Sequence, residues 1–382
     1  MDIETRAQLK ETVHRFVRER LVPLEPMVEE NDEVPAELRR EMADLGLFGL
    51  SIPAAYGGLG VDMETEVEIA FELGWTSPAF RSVIGTNVGI GSQGIIIDGT
   101  EAQKQAYLPR LATGEIVGSF ALTEPDIGSD AAHLKTRAQR KGDAYLITGT
   151  KRYITNAAYA DIFTLMARSE PEETGARGVS AFIVPANSPG ITLGQPDSKM
   201  GQRGTKTSDV ILDGVEVPAE NIIGGKPGQG FKTAMKVLDR GRLHISAIAV
   251  GAAERLIHEA LGFACERQQF GKPIVDFQLI QAMLADSRAE AYAARSMVLD
   301  GATRFDRGER LTMEAACCKY FCTEMVGRVA DRAVQIHGGA GYMSEYAVER
   351  FYRDVRLFRI YEGTSQIQQL VIAREMRRAH EG

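Results

Sequence analysis

The 382 residues carry 52 acidic against 44 basic side chains, a formal net charge of −8, which argues against a nucleic-acid binder, since such proteins present a basic face to phosphate. With 44% hydrophobic residues the chain can bury a large core over two or three domains, yet no uninterrupted apolar run nears the roughly 20 residues that span a bilayer. Four cysteines without a C-x-x-C pair, six scattered histidines and the acidic start "MDIETRAQLK" point to a cytoplasmic protein with reduced, buried thiols and no metal site.

From Ile3 to about Arg110 apolar residues recur at helical spacing, as in "LKETVHRFVRERLVPLEPMVEE" and in "PAELRREMADLGLFGL", which starts at proline and stops at glycines. From about Glu115 short β-branched runs broken by Gly, Pro and Asp take over, among them "SFALTEP", "AYLITGTKRYIT", "DIFTLMARS", "VSAFIVPA" and "SDVILDGVEVP". After "GGKPGQG" long alanine-rich helical segments run to Arg378. The expected fold class is α+β: an N-terminal α-helical domain (1–114), a middle β-sheet domain (115–225) and a C-terminal four-helix bundle (226–382).

Several stretches carry candidate chemistry. "GIGSQG" (89–94) matches the dinucleotide pattern G-x-G-x-x-G, but "IIIDGT" stands next where a full crossover helix belongs, so close helix packing is the favoured reading and a nicotinamide-dependent oxidoreductase the alternative. "FALTEPDIGSD" joins two strands through a turn rich in hydroxyls and free N–H groups, able to bond a ring's heteroatoms or a phosphate. "ERQQFGKPI" and "QIHGGAGY" read as helix ends stopped by glycine. In "RIYEGTSQIQ" a single carboxylate, Glu362, interrupts helical sequence between an aromatic ring and a glycine. No H-E-x-x-H or G-x-S-x-G occurs, which leaves zinc and serine-hydrolase chemistry without a motif.

Together, "ALTEPDIGSD" (121–130), "KRYITNAAYAD" (151–161), "ERQQFGKPI" (266–274), "QIHGGAGY" (335–342) and "RIYEGTSQIQ" (359–368) resemble the acyl-CoA dehydrogenase family, in its order and over nearly its whole length. The resemblance implies FAD, α,β-dehydrogenation of an acyl-CoA thioester, electron transfer to electron-transfer flavoprotein, and a homotetramer. It implies that Phe120, Leu122, Thr123, Gly128 and Ser129 line the flavin and its pyrophosphate, Ser129 also meeting substrate, and that Tyr153, Ile154 and Thr155 lie against the ring. Arg267, Phe270 and Gln278 resemble positions reaching a neighbouring subunit's FAD; Gln335, Gly338 and Gly339 resemble adenine and pyrophosphate contacts; Thr364 and Gln366 resemble residues closing over the cofactor. Arg242 and Arg374 match positions near CoA.

Glu362 is similar to the family's catalytic base. A thioester α-proton is weakly acidic, so its removal needs a desolvated base on one face while hydride leaves the β carbon from the other. Gly363 would let backbone N–H groups approach the thioester carbonyl. Members that carry the base on an earlier helix place it where this chain has Gly241, leaving Glu362 as the candidate.

In "SPAFRSVIGTNVGIG", Arg81 stands in an apolar stretch that resembles the region bordering the far end of the acyl pocket in fatty-acyl members, and Arg81-Ser82 is similar to the pair that binds the distal carboxylate in glutaryl-CoA dehydrogenases. The glutamate that accompanies that arginine one or two turns earlier is missing, with Gly74 and Trp75 in its stretch, and "PDIGSD" departs from the glutaryl pattern linked to decarboxylation. The substrate expected is a short, branched or dicarboxylyl acyl-CoA. The competing reading has Arg81 pair with a protein carboxylate or reach solvent.

Overall fold

A computed structural model describes residues 1–381. The N-terminal third is helical: α1 (Ile3–Arg15), α2 (Glu25–Asn31), α3 (Ala36–Asp44), α4 (Met63–Gly74), α5 (Pro78–Gly85), α6 (Gln93–Asp98) and α7 (Glu101–Ala112). Local sequence sets their starts. The Asp2 and Asp62 carboxylates accept from the N–H groups of Thr5 and Thr65, and Thr100 with Gln103 forms a reciprocal capping box.

A seven-stranded sheet comes next, from β1 (Gly118–Ala121), β2 (Arg137–Lys141), β3 (Ala144–Thr155), β4 (Ile162–Arg168), β5 (Val179–Pro185), β6 (Ile191–Leu193) and β7 (Thr207–Pro218). Along its path the order is β1-β4-β2-β3-β7-β6, with β1 and β2 both parallel to β4 and β5 antiparallel to it. β4 and β5 are buried on both faces, which explains their continuous apolar runs; β7 alternates because one face stays wet.

The last third comprises α8 (Gly230–Glu266), the small β8–β9 hairpin (Gln268–Gln269, Lys272–Pro273), α9 (Gln278–Asp306), α10 (Thr312–His337), α11 (Ala347–Val355) and α12 (Ser365–Glu381). α8 is buried all round from Arg240 to Ala253. That is possible because its small residues admit neighbours on every side. The closest crossing is with α4. A Cβ at Gly74 would lie 2.3 Å from the Ile248 carbonyl oxygen, and one at Gly251 would lie 2.1 Å from that of Phe71. α8 also starts hard against the sheet, where a Cβ on Gly230 would meet Ala181 N at 2.2 Å. A large core joins the N- and C-terminal helices, while two smaller clusters cover the faces of the sheet.

"GIGSQG" spans the end of a π-turn (Thr86–Gly91) that continues α5 and the start of α6, so no strand precedes it and the dinucleotide alternative loses its context. Gly91 is needed for packing, since its Cβ would stand 2.7 Å from the Gly118 carbonyl on β1. The expectation of four buried thiols is corrected: Cys318 and Cys322 are buried in the bundle, whereas Cys265 is exposed near the end of α8 and Cys317 half-buried. Among the described residues no helix is long and apolar enough to cross a membrane.

The glycine crossing yields a stability prediction. Gly74→Val should force α4 off α8 and cost about 3 kcal/mol, read as a lowered denaturation midpoint in urea, whereas Gly262→Ala, at an open and exposed position of α8, should cost far less.

Candidate active site

The break at Glu362 is made by two successive left-handed residues, Glu362 at φ 56° and Gly363 at φ 88°. Such backbone persists only if its surroundings hold it. Lys319, fully buried on α10, donates from Nζ to the Gly363 carbonyl at 2.7 Å, and the Gln368 amide donates to the Glu362 and Gly363 carbonyls at 3.2 and 3.1 Å. Burial pulls the Lys319 pKa down to about 8 against the opposing pull of Glu362. Gly241 supplies the space in front, since a Cβ there would lie 2.7 Å from Glu362 Oε2. That oxygen is buried and has no hydrogen-bond partner among the described residues. A carboxylate oxygen with its lone pairs free is equipped to accept a proton.

The opposite wall is built by β1, β3 and the loop between β1 and β2. Lys151, completely buried on β3, donates to Glu124 Oε1 at 2.8 Å and to the Leu122 carbonyl at 3.1 Å. Glu124 also accepts from the N–H groups of Lys135 and Thr136 at 2.6 and 2.9 Å. Burial pushes Glu124 up, but Lys151 and these donors outweigh it and hold the carboxyl below its usual range. The pair anchors a loop that is otherwise largely exposed. Where β3 slips register against β7 between Lys151 and Ile154, Tyr153 takes φ 56° and turns its ring outward, 58% exposed.

The result is a cleft of about 350 Å³. Of the residues expected in the site, it brings together Phe120, Leu122, Thr123, Gly128, Ser129, Tyr153, Ile154 and Thr155 with Glu362, Gly363, Arg242 and Arg81. The set fits the flavin end of FAD: an open aromatic face at Tyr153, hydroxyls at Thr123, Ser129 and Thr155, and a glycine at 128 with nothing near its absent Cβ. Arg242 reaches Asp239 Oδ1 at 2.5 Å while its buried Nε has no partner among the described residues.

Other expected residues do not line this cleft within one chain. Arg267 and Phe270 lie at the β8–β9 hairpin, where Phe270 is 93% exposed, and Gln278 begins α9. Gln335, Gly338 and Gly339 sit at the end of α10; Thr364 and Gln366 lie at the start of α12, and Arg374 further along it, pairing with Glu375.

Arg81, on α5, is buried, and its guanidinium lies against Gly85, whose Cβ would be 2.8 Å from Arg81 Nε. Its Nε donates to His244 Nε2 on α8 at 3.2 Å, and His244 Nδ1 meets Glu66 Oε1 on α4 at 3.0 Å. Glu66, fully buried, also forms an ion pair with Arg240. Burial would push Glu66 up, yet Arg240 and His244 together hold it down at about 2. Burial, reinforced by the Arg81 charge, lowers His244 and keeps it neutral at pH 7. The partners fix its tautomer: Nδ1–H donates to Glu66, and Nε2 accepts from Arg81.

Arg81 therefore lacks the protein carboxylate expected of an unremarkable arginine. It forms no ion pair with a carboxylate among the described residues, and it is buried. A carboxylate at position 74 is sterically excluded by Ile248 of α8; Glu66, about two turns earlier on α4, stands nearby but reaches His244 instead. Sequence reasoning missed His244, Glu66 and Lys319. Their partners are far along the chain, and a lone histidine or a lysine within a helix gives no local signal.

Three domain descriptions of one family match the chain in series: acyl-CoA dehydrogenase N-terminal domain over residues 3–115, middle domain over 119–215 and C-terminal domain over 228–377. A probable acyl-CoA dehydrogenase of Bacillus subtilis is 43% identical over 368 residues, 96% of this chain and 97% of that protein. The CarC subunit of a caffeyl-CoA reductase–Etf complex of Acetobacterium woodii is 42% identical over 91% of each chain. The structure of a glutaryl-coenzyme A dehydrogenase in complex with glutaryl-CoA superposes with a TM-score of 0.93 at 37% identity, covering 98% of this chain and 95% of that one. With the sequence motifs, the three-part fold and the cleft in agreement, the chain belongs to the acyl-CoA dehydrogenase family of FAD flavoproteins.

Proposed function

We propose that the protein desaturates an acyl-CoA thioester whose far end carries a carboxylate, a short dicarboxylyl-CoA, and passes the electrons to electron-transfer flavoprotein. The single observation that supports this substrate class is the Arg81 guanidinium: buried, charged and without a carboxylate partner among the described residues, in the same cleft as Glu362. Its Nη atoms have no hydrogen-bond partner among the described residues, and a guanidinium fork matches a carboxylate in both geometry and charge. The resemblance to a glutaryl-coenzyme A dehydrogenase that binds glutaryl-CoA supports the same class.

In the proposed reaction Glu362 Oε2 takes the α-proton. The β C–H bond breaks with its electron pair, and the Cα–Cβ double bond forms. FAD, when bound, supplies the hydride acceptor at its N5. Lys319 and Gln368 keep Glu362 on its left-handed turn, so the base needs little reorganisation at the moment of proton transfer. The wall at Thr123, Tyr153 and Thr155 orients the ring system against substrate, and Arg242, with its unpartnered Nε, lies where a CoA group would enter.

Electron-transfer flavoprotein is the proposed acceptor because a relative of similar sequence belongs to an Etf complex; that relative is a caffeyl-CoA reductase, so the same site run towards reduction of an α,β-unsaturated thioester is the second reading. The homotetramer is proposed on the outlying residues: Arg267, Phe270 and Gln278 face outward, and Phe270 and Leu279 are 93% and 80% exposed, as an interface still to be covered would be.

Three variants test this reading on the flavin-loaded enzyme. Glu362→Gln should keep the yellow flavin but lose bleaching by every acyl-CoA. Gly241→Ala should push the base aside and lower kcat about 100-fold, with flavin content unchanged. Arg81→Gln should raise KM for glutaryl-CoA about 10- to 100-fold while leaving butyryl-CoA within about twofold. Equal effects on the two thioesters would exclude the dicarboxylyl substrate, and wild-type enzyme that only reduces enoyl-CoA would favour the second reading.

A further inference from the structure

We infer that His244 is a positioning residue for acyl specificity: held by Glu66, it fixes the Arg81 guanidinium and leaves that charge free for the substrate's distal carboxylate. The inference rests on the reading that Arg81 takes a carboxylate, and it explains how a family site that lacks a glutamate beside the arginine would still be ordered.

Geometry comes first. A guanidinium can grip a carboxylate through its Nη1/Nη2 edge or through an edge that includes Nε. Here Nε is occupied by His244 Nε2 at 3.2 Å. The ring cannot turn away, because Nδ1 is held by Glu66 at 3.0 Å and the side chain is fully buried in α8. Gly85 closes the other side, its Cβ position lying 2.8 Å from Arg81 Nε and 2.9 Å from Cζ. The Nη1/Nη2 edge is the one that remains available.

Charge is the second element. The groups packed around His244 are Glu66 from α4, Arg81 from α5 and Arg240 from α8 itself. Glu66 is neutralised by Arg240, and neutral His244 contributes an acceptor without a charge. One positive charge is left over, on Arg81. A carboxylate in place of His244 would hold the same guanidinium equally well but would cancel that charge and compete with the ligand. The neutral imidazole holds Arg81 without neutralising it.

The test uses holoenzyme variants of His244 beside Arg81→Gln, each assayed with glutaryl-CoA and with valeryl-CoA, which has the same chain length and no distal carboxylate. His244→Leu removes the acceptor and should raise KM and Kd for glutaryl-CoA about 10-fold, with kcat and the valeryl-CoA constants within about twofold. His244→Gln, whose amide oxygen can still accept from Nε, should restore most of the glutaryl-CoA affinity. His244→Asn, too short to reach, should behave like His244→Leu and stands in for it if the leucine variant does not load flavin. Should Arg81→Gln separate the two thioesters while His244→Leu or His244→Asn weakens both equally or neither, the positioning role falls and the substrate reading stands. If Arg81→Gln fails to separate them, or wild-type enzyme binds glutaryl-CoA no more tightly than valeryl-CoA, both fall.

Discussion

The cleft depends on one constraint, the crowding around α8. Its central stretch is buried all round, and glycines along the helix admit the sheet at Gly230, the base at Gly241 and α4 at Gly251. Because interiors are packed to crystal-like density, these are positions where one added methyl group must move a helix or a functional side chain. α8 thus lies behind both candidate residues, carrying Gly241 and His244, one making room for Glu362 and the other holding Arg81.

Buried charge is handled in two ways around this helix. At the loop between β1 and β2, Lys151 and Glu124 neutralise each other and use their remaining bonds to fix backbone, a structural use of an ion pair that removal of either partner would turn into a buried lone charge. Near Arg81, Glu66 and Arg240 also neutralise each other, but the network is extended by a neutral histidine to a second arginine with no counter-ion among the described residues. The first arrangement is complete in itself. The second leaves the charge of Arg81 unmatched by any carboxylate among the described residues.

Much of the fold was legible in the sequence because it is written in local periodicity. Alternation in "SDVILDGVEVP" and the continuous apolar runs of "DIFTLMARS" and "VSAFIVPA" match the one-sided and two-sided burial of β7, β4 and β5. The expectation for "GIGSQG" rested on the short "IIIDGT" after it, and the helix that precedes it agrees. Thiol burial was legible only in part: Cys318 and Cys322 face the bundle, while Cys265 sits on an exposed turn of the same alanine-rich texture, where composition carries no information about which face meets solvent.

The sequence by itself determined the family, the three-part order of elements, and the candidacy of Glu362 and Arg81, because short motifs and residue types that chemistry requires are visible as strings. Only the tertiary structure decided what surrounds them. His244 is 163 residues from Arg81 and 178 from Glu66, so nothing in its neighbourhood along the chain marks it out from five other histidines. The absence of a glutamate in the stretch of Gly74 and Trp75 looked like a missing partner; in three dimensions α8 crosses Gly74 too closely for a side chain there, and Glu66 connects to Arg81 through an imidazole. Contacts of that kind are set by which helices meet and how closely, and that is settled by packing across the whole chain rather than by any segment of it.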